Sequence, residues 1–372
     1  MKIIAFYLPQ FHEIEENNRW WGDGFTEWTN VRRAKPLYKG HYQPRIPLNK
    51  RYYNLLDPET RQWQADIAKK HGVYGFCYYH YWFNGAMLLE KPAEEMLRLK
   101  KPDMPFCFSW ANESWTRAWK GKEREILISQ EYGEEQDWIE HFEYLLPFFM
   151  DRRYILVDEK PLFVIYRPEL MPCCNQMIDC WQEQAKKNGL KGLTIAYQNV
   201  HFNRLDEKDE SRFDYGIEYQ PAYAFTDYSD DYRSRLFKRL FTVFRRKIRK
   251  VSSVLLGKPD MSKRLDLNYD ELWRYVLARE PNNEKKIPGA FVDWDNSPRH
   301  KERGCIYRGA SPEKFQVYLS RQIARAKNVY HKDMLFLFAW NEWAEGGYLE
   351  PDEKYGYAYL EAIKTALEEN ED

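Results

Sequence analysis

Eight short apolar runs, rich in β-branched and aromatic residues, recur along this chain of 372 residues and alternate with helical patterns. Such alternation predicts βα units and a mostly parallel sheet. Several runs are almost continuously apolar, as expected of strands that helices cover on both faces. The predicted strands are Ile3–Leu8, Tyr74–Tyr79, Phe106–Trp110, Leu162–Tyr166, Leu193–Tyr197, Tyr215–Tyr219, Ala290–Trp294 and Leu335–Trp340.

Helical patterns occupy several of the intervals between these runs, and one more follows the last run. The predicted helices are Pro58–His71, Met87–Leu99, Glu134–Met150, Gln176–Lys187, Pro312–Val329 and Tyr357–Glu369.

The carboxyl ends of the predicted strands carry polar and aromatic residues, as in 79–82 and 340–342. In a closed barrel all eight of these ends meet on one face, where the active site of such barrels lies. An open, doubly wound sheet would instead concentrate them at one switch point. The pattern therefore predicts an α/β fold: a single (β/α)8 TIM barrel domain over residues 1–372, with elaborated βα loops.

A basic segment interrupts this pattern within residues 226–287, a stretch too long for one crossover. The part Tyr232–Pro259 contains ten basic residues and no acidic one. Apolar positions at helical spacing predict a basic amphipathic helix at Arg233–Lys250. This helix would either pack on the barrel wall with a solvated basic face or contact an anionic membrane surface peripherally.

The charge balance and the cysteines limit the expected partners and cofactors. Lys plus Arg and Asp plus Glu each number 57, whereas phosphate binding needs a basic surplus, so no nucleic acid partner is expected. The six cysteines include no CxxC pair or other metal-ligand spacing. Asp293-x-Asp295 is similar to the metal-binding pair of one class of glycosyltransferases, but no Rossmann-like half precedes it. We therefore expect neither a metal nor another cofactor.

The hydropathy pattern bears on location. The first residues turn polar within ten positions and lack a signal-type apolar stretch and cleavage site. No apolar run approaches the length needed to cross a bilayer. We therefore expect a cytoplasmic protein, either free or peripheral at the inner face of the membrane.

The strongest local signal is the segment 338–347, at the end of the last predicted strand. It contains Glu342 and Glu345, flanked by Trp340 and Trp343. Glycoside cleavage commonly uses two carboxyl groups, one protonated and one ionised. Tryptophan walls and a second negative charge both raise the pKa of a carboxyl group. An ExxE pair is also common on surface helices, but this placement predicts catalytic carboxylates.

Further polar and aromatic residues near the strand ends are candidates for binding a sugar. Pyranose rings present hydroxyl groups to hydrogen-bonding side chains and flat CH faces to aromatic rings. The chain has 14 Trp and 28 Tyr, although the same residues could simply form an aromatic core or brace loops. The predicted binding residues are Tyr7, Gln10, His12, Glu27, Trp28, His80, Trp82, Trp110, Asn112, Glu113, Trp115, Tyr166, Glu218, Tyr219, Asp293, Asn296, Trp340, Asn341 and Trp343.

Taken together, these motifs resemble the WbsX-like proteins of bacterial polysaccharide and lipopolysaccharide gene clusters, which are related to the endo-α-mannosidases of glycoside hydrolase family 99. The resemblance extends over most of the chain, residues 1–365. It rests on the segments 7–12, 20–28, 79–83, 110–115 and 340–346.

The resemblance implies a retaining hydrolase that acts on α-linked, mannose-like residues of a bacterial surface polysaccharide. Glu342 would act as the base toward the substrate 2-hydroxyl, giving a 1,2-anhydro sugar, and Glu345 as the acid/base. Ala344 and Gly347 depart from the hydrolase pattern, which leaves the direction of the reaction open. Two alternatives are a glycosyltransferase of O-antigen or capsule assembly and a glycan-binding barrel without catalysis.

Overall fold

The structure is a computed structural model that describes residues 1–117, 122–200, 210–234 and 264–371. Its strands, in chain order, are β1 (Lys2–Tyr7), β2 (Val73–Phe83), β3 (Ala86–Leu88), β4 (Phe106–Trp110), β5 (Trp115–Arg117), β6 (Lys122–Ile128), β7 (Leu156–Val157), β8 (Lys160–Ile165), β9 (Thr194–Asn199), β10 (Tyr215–Glu218), β11 (Leu265–Asn268), β12 (Lys286–Ile287), β13 (Gly289–Phe291), β14 (Cys305–Arg308), β15 (Met334–Phe338), β16 (Asn341–Glu342) and β17 (Gly347–Tyr348).

Helices of one to five turns connect and cover these strands. They are α1 (Glu15–Trp21), α2 (Glu27–Arg33), α3 (Pro58–Lys70), α4 (Lys91–Leu99), α5 (Glu135–Phe149), α6 (Cys174–Lys187), α7 (Ala222–Ser234), α8 (Tyr269–Ala278), α9 (Ser297–His300), α10 (Pro312–Asn328) and α11 (Ala358–Glu368), with single 3-10 turns at Leu48–Lys50, Pro168–Leu170, Lys301–Arg303 and Trp343–Glu345.

The central sheet closes into a barrel of eight parallel strands. Strand β1 pairs with β2 on one side and with β15 on the other. The seventh barrel strand consists of β12 and β13, which are separated by Pro288, a residue without an N–H for the ladder. Because β12 pairs with β10 and β13 pairs with β15, the ring is complete. The prediction of a (β/α)8 barrel is confirmed.

All eight predicted strands are present, and the boundaries differ where tight hairpins form. The second barrel strand runs on to Phe83, because Tyr81–Phe83 pairs antiparallel with Ala86–Leu88. The helix predicted from Met87 therefore begins only at Lys91. The seventh strand begins at Lys286 and ends at Phe291, earlier than the sequence predicts.

Side chains alternate between the barrel interior and the surrounding helices, as the strand period of two requires. In the interior, the ring of Phe6 lies 5.7 Å from that of Tyr79 and 5.3 Å from that of Tyr219. Gln198 donates to the Ser109 hydroxyl across the same space at 2.9 Å. These packed side chains fill the barrel interior below its mouth.

The covering helices follow local sequence rules. In α10, Phe315, Leu319 and Ile323 recur every four residues and are fully buried. Pro312 occupies the first turn of α10, and the Ser311 hydroxyl accepts a hydrogen bond from the N–H of Lys314. A cap and an apolar stripe of this kind dock a helix against a sheet.

The inserted region contains described and undescribed parts. After α7, residues 235–263 lie outside the described residues, and so does most of the predicted basic helix Arg233–Lys250. The contact of that helix with a membrane therefore stays a prediction. Strand β11 and helix α8 follow, and β11 pairs in parallel with β14. None of the helices in the described part of the chain has the length and apolarity needed to cross a membrane.

Candidate active site

A cavity of about 330 Å³ opens at the carboxyl ends of the barrel strands. Aromatic rings and polar groups form its walls in similar numbers. The aromatic lining residues are Trp21, Phe25, Tyr79, Tyr81, Trp115, Tyr166, Tyr219 and Phe338. The polar lining residues are Gln10, Asn17, Glu27, Glu113, Ser114, Thr116, Arg299, Glu342 and Glu345.

One guanidinium group binds three carboxylates in this cavity. Nη1 of Arg299 donates to Glu345 at 2.7 Å, and Nη2 donates to Glu342 and to Glu27, each at 3.1 Å. The side chains of Glu27 and Glu342 are only 1% and 4% exposed, whereas that of Glu345 is 20% exposed. Of the three carboxylates bound to Arg299, Glu345 is therefore the most open to a ligand.

Burial raises the pKa of both glutamates of the pair, that of Glu342 well above its ordinary range. Arg299 opposes this by stabilising the ionised forms, and the charge of Glu27 adds to the rise of both pKa values. Two neighbouring carboxyl groups with raised pKa values titrate as a pair. Such a pair can supply one acid and one base near neutral pH.

The backbone that carries Arg299 is tied directly to the loop that carries Glu345. The N–H of Asp295 donates to the carbonyl of Glu345 at 2.7 Å, and the Asp295 carboxylate accepts from the N–H of Ser297 at 3.0 Å. The Asn296 side chain accepts from the N–H of Cys305 at 2.7 Å, which anchors this turn to β14. These hydrogen bonds hold the turn before Arg299 against the loop of Glu345 and against β14.

Two aspartates brace this loop from behind. Arg45 donates to Asp293 at 2.7 Å and to the carbonyl of Gly346 at 3.2 Å. His41 and Gln43 each contact Asp295 at 2.8 Å. Despite burial, His41 and Arg45 hold the pKa of Asp295 at about 2. Both aspartates are therefore paired with groups of the protein itself. In the described part of the chain, no group of three or more His, Cys, Asp or Glu residues is arranged to hold a metal ion.

A buried carboxyl group, Glu350, lies behind the turn that joins Glu342 to Glu345. It accepts hydrogen bonds from the indole N–H of Trp343 at 2.6 Å, from the Tyr53 hydroxyl at 2.7 Å and from the Gln64 amide at 2.6 Å. Burial raises its pKa to about 7, against the effect of these donors. Because Trp343 lies between the two cavity glutamates in sequence, Glu350 holds the wall behind them.

The opposite side of the mouth carries Glu113 and Arg167. The guanidinium of Arg167 donates to Glu113 at 2.9 Å and to Glu169 at 2.9 Å. The Asn112 amide binds the Arg167 backbone twice, accepting from its N–H at 2.7 Å and donating to its carbonyl at 2.8 Å. Asn112 therefore links two strand ends, and Glu113 reaches the cavity.

Many residues were predicted for this site from the sequence, and some of them line the cavity in the structure. The predicted residues that line the cavity are Gln10, Glu27, Glu113, Trp115, Tyr166, Tyr219, Glu342 and Glu345.

A second group of predicted binding residues lies on the outer side of the barrel, because side chains alternate along a strand. On β2, Tyr79 and Tyr81 face the cavity, while His80 and Trp82 face α5. The Nε2 atoms of His80 and His141 are 2.8 Å apart, and Trp82 stacks on His141 with ring centroids 4.4 Å apart. Burial lowers the pKa of His80 to about 3, so this histidine is neutral. The other predicted residues outside the cavity at outer strand positions are Tyr7, Trp110 and Glu218.

The remaining predicted residues support the loops. Asn341 binds the Leu8 backbone by two hydrogen bonds, at 2.8 and 3.0 Å. Trp28 packs on Trp343 and donates to the Tyr53 carbonyl at 2.8 Å. The predicted residues that lie around the cavity without lining it are Asn112, Asn341, Asp293, Asn296, Trp28, Trp340, Trp343 and His12.

Several residues that line the cavity were not predicted as site residues. Arg299 lies on the short helix α9, four residues after Asp295, and nothing in its local pattern marks it. Tyr79 and Tyr81 had a usable signal, because they alternate with His80 and Trp82 along one strand. The structure shows which of the two alternating sets faces inward. Phe6 of β1 lies in the barrel interior, and its ring stacks on that of Tyr79 in the paired strand β2.

Comparison with known proteins now adds to this geometry. A family model described as glycosyltransferase WbsX matches residues 3–363. The chain belongs to the WbsX family. Two curated relatives of this WbsX protein come from strains ATCC 33913 and B100 of Xanthomonas campestris pv. campestris. Each is described as uncharacterized protein WxcX and is 37% identical over 369 residues, which cover 98% of this chain and 49% of the relative. The chain thus spans about half the length of the curated relatives it matches.

Solved structures similar to this WbsX protein show the same fold. The GH99 endo-alpha-mannosidase from Bacteroides thetaiotaomicron is 14% identical, with a TM-score of 0.53 and coverage of 99% of this chain and 96% of that one. Its complex with BIS-TRIS-propane gives a TM-score of 0.56 at the same identity and coverage. A protein described as glycoside hydrolase-like gives 0.58 at 13% identity, with 98% and 93% covered. The family model therefore shows the family of this chain, and the solved structures show its fold.

Proposed function

We propose that this protein cleaves α-linked, mannose-like residues of a bacterial surface polysaccharide by a retaining, glycoside hydrolase-type reaction. The observation that carries the proposal is the pair Glu342 and Glu345, which share one guanidinium at the mouth of an aromatic-walled barrel. The fold shared with an endo-alpha-mannosidase supports this choice of substrate.

In the first step, Glu342 acts as the base. It accepts the proton of the sugar 2-hydroxyl while O2 forms a bond to C1, and the bond from C1 to the leaving oxygen breaks. Glu345 donates its proton to that oxygen, and a 1,2-anhydro sugar results. An internal hydroxyl has a large effective concentration but needs a base, and the single proton of the coupled pair must lie on Glu345 for Glu342 to serve as that base.

In the second step, water opens the strained ring. Glu345 is now ionised and accepts a proton from the water as its oxygen bonds to C1. Glu342 returns its proton to O2 as the C1–O2 bond breaks. Both glutamates regain their starting states, and two inversions at C1 retain its configuration. The first step needs O2 and the leaving group trans-diaxial, as they are in α-mannosides.

The cavity walls suit a neutral pyranose. Tyr81, Tyr166 and Tyr219 present flat ring faces and hydroxyl edges, and Trp115 adds an indole. Such rings pack against the CH faces of sugars and exclude water from the carboxylates.

A second candidate is a glycosyltransferase, and the description of the family model favours it. In that reaction the same cavity would hold an acceptor glycan, and an activated sugar donor would replace water. The two candidates differ in their products, so product analysis separates them.

The test is to incubate the purified protein with α-mannoside and capsular oligosaccharides, with and without nucleotide-sugars, and to read the products by mass. The Glu342→Gln and Glu345→Gln variants run in parallel. Glu218→Gln is the matched control, because Glu218 is a buried glutamate of the barrel that binds Tyr330 outside the cavity. We expect a reducing sugar from the wild type and the control, and none from the two cavity variants.

Two results would overturn the proposal. Elongation that requires a nucleotide-sugar would make the protein a transferase. Glycan binding by the wild type and both cavity variants, with no product from any of them, would make it a binding protein.

A further inference from the structure

We propose that Arg299 is the positioning residue of this site: by binding three carboxylates, it sets both the orientation of Glu342 and Glu345 and the number of protons that they share. Nothing in the sequence pattern marks this residue. Its role rests on contacts from α9 to the mouth of the barrel.

The geometry requires a planar, forked cation. Nη1 reaches Glu345 at 2.7 Å, while Nη2 is shared between Glu342 and Glu27 at 3.1 Å. A guanidinium offers several N–H groups in one plane, whereas an ammonium is a point charge on a flexible stem. The side chain of Arg299 is only 7% exposed, so water does little to screen these contacts.

The net charge of the cluster explains how the Arg299 guanidinium affects the protonation of the glutamate pair. Three ionised carboxylates around one guanidinium would leave a net charge of about −2 in a site of low dielectric. One proton held by the glutamate pair reduces this to about −1 and provides the acid that the proposed reaction needs. Arg299 limits proton uptake to that one, because its charge favours the ionised form of the other glutamate.

Other titratable groups face the pair from the surrounding elements. Burial raises the pKa of the phenols of Tyr81, Tyr166 and Tyr219, so these groups stay neutral at neutral pH. Across the cavity, the charge of Glu113 is paired with Arg167. Glu27 is the neighbouring anion that shares the Arg299 guanidinium with the pair. Arg299 and Glu27 therefore have opposite effects on the same two glutamates.

These opposite effects provide the test. Arg299→Met removes a positive charge, so protonation of the pair should move to higher pH; Glu27→Gln removes a negative charge, so it should move to lower pH. We expect displacements of about 1–3 pH units, the usual effect of a charge at this distance. The double variant should lie between the two single variants.

The primary readout needs no substrate. Infrared difference spectroscopy follows the C=O band of protonated carboxyl groups against pH, and Glu342→Gln and Glu345→Gln assign the bands. The proposed function enters only the second readout, the pH profile of kcat/KM, whose two limbs should move with the infrared midpoints. Displaced infrared midpoints without any sugar cleavage would overturn the proposed function and leave the role of Arg299 in proton uptake intact.

Two further variants separate charge from shape and from folding. Arg299→Lys keeps the charge, so the midpoints should stay near those of the wild type while kcat falls. Arg153→Met removes a buried arginine that binds Asp151 and the carbonyls of Met96 and Pro102 outside the cavity, and it should lower the melting temperature without moving the midpoints. If Arg299→Met does not fold, the other two variants still test the proposal: the midpoint should move to lower pH in Glu27→Gln and stay near that of the wild type in Arg299→Lys. Midpoints that move in the same direction in all variants, or in none, would overturn the proposal.

Discussion

The two sides of the cavity mouth carry related sequence motifs with different chemistry. At the end of β4 and at the end of β15, an asparagine precedes a glutamate that lines the cavity. Asn112 binds the N–H and the carbonyl of Arg167, and Asn341 binds the same two groups of Leu8. Each asparagine thus links its strand end to the neighbouring strand end, and the same local device aims both glutamates.

The glutamates themselves meet different surroundings. Glu113 is 40% exposed and pairs with Arg167, whereas Glu342 is 4% exposed and shares Arg299 with two other carboxylates. Ion pairs near the surface contribute little, while buried carboxyl groups acquire raised pKa values. The comparison teaches that a repeated motif sets direction, and that burial and the partner charges set reactivity.

The largest expected effect is a difference in kcat when the glutamate of each motif is replaced. Glu342→Gln keeps the shape of the side chain but removes the base, so kcat should fall by about 10²–10⁴-fold. Glu113→Gln changes a partly exposed ion pair and should cost less than about tenfold. The measurement is kcat on the cleaved oligosaccharide for both variants at several pH values.

Equal losses in the two variants would contradict this difference. They would mean that both sides of the mouth take part in catalysis and that Glu113 has a catalytic role of its own. Circular dichroism and the melting temperature serve as controls for folding.

The fold was largely predictable, because each barrel strand is a continuous apolar run whose burial does not depend on distant detail. The polar strand ends also indicated a barrel. What the sequence could not supply was the angular position of a side chain around its strand. His80 and Trp82 were predicted in the cavity, but Tyr79 and Tyr81 line it, one position away in each case.

Arg299 was missed for a different reason. It lies 272 positions from Glu27 and 43 from Glu342, so no local pattern connects them. Asp293 and Asn296 were visible as polar residues after the seventh strand, yet they bind Arg45 and the N–H of Cys305. Polar residues at a barrel mouth serve both chemistry and loop structure, and only three-dimensional contacts distinguish the two uses.

The buried titratable groups behind the two motifs differ, and this difference predicts how the free energy of unfolding depends on pH. Behind Trp110 lie His80 and His141, both neutral because burial lowers their pKa values. Behind Trp343 lies Glu350, whose pKa burial raises to about 7. Between pH 4.5 and 7 the native protein then holds a proton that the unfolded chain has lost, so the free energy of unfolding falls as pH rises. At about 1.4 kcal/mol per pKa unit, the fall that Glu350 contributes is about 3.5 kcal/mol.

Glu218 provides the control for this prediction, since burial also raises its pKa to about 7 and it lies outside the cavity. Urea unfolding at a series of pH values should show that Glu350→Gln and Glu218→Gln each reduce the slope. Only Glu350→Gln should also lower kcat, because only Glu350 binds Trp343. Equal slopes in the wild type and both variants would contradict the assignment.

The smallest expected effect concerns the two asparagines. Replacing either with alanine leaves an N–H and a carbonyl of the neighbouring strand end without their partner; these groups are buried at Leu8 and partly buried at Arg167. The cost is about 1–3 kcal/mol in the free energy of unfolding. Since the two bridges have the same form, Asn112→Ala and Asn341→Ala should be destabilised to a similar degree. Their kcat values should nevertheless differ, because Asn341 immediately precedes the proposed base, and Asn112 precedes a glutamate that is bound to Arg167. If both variants lose stability and activity in proportion, the asparagines hold the barrel mouth as a whole; a selective loss of kcat in Asn341→Ala would show that each bridge aims its own glutamate.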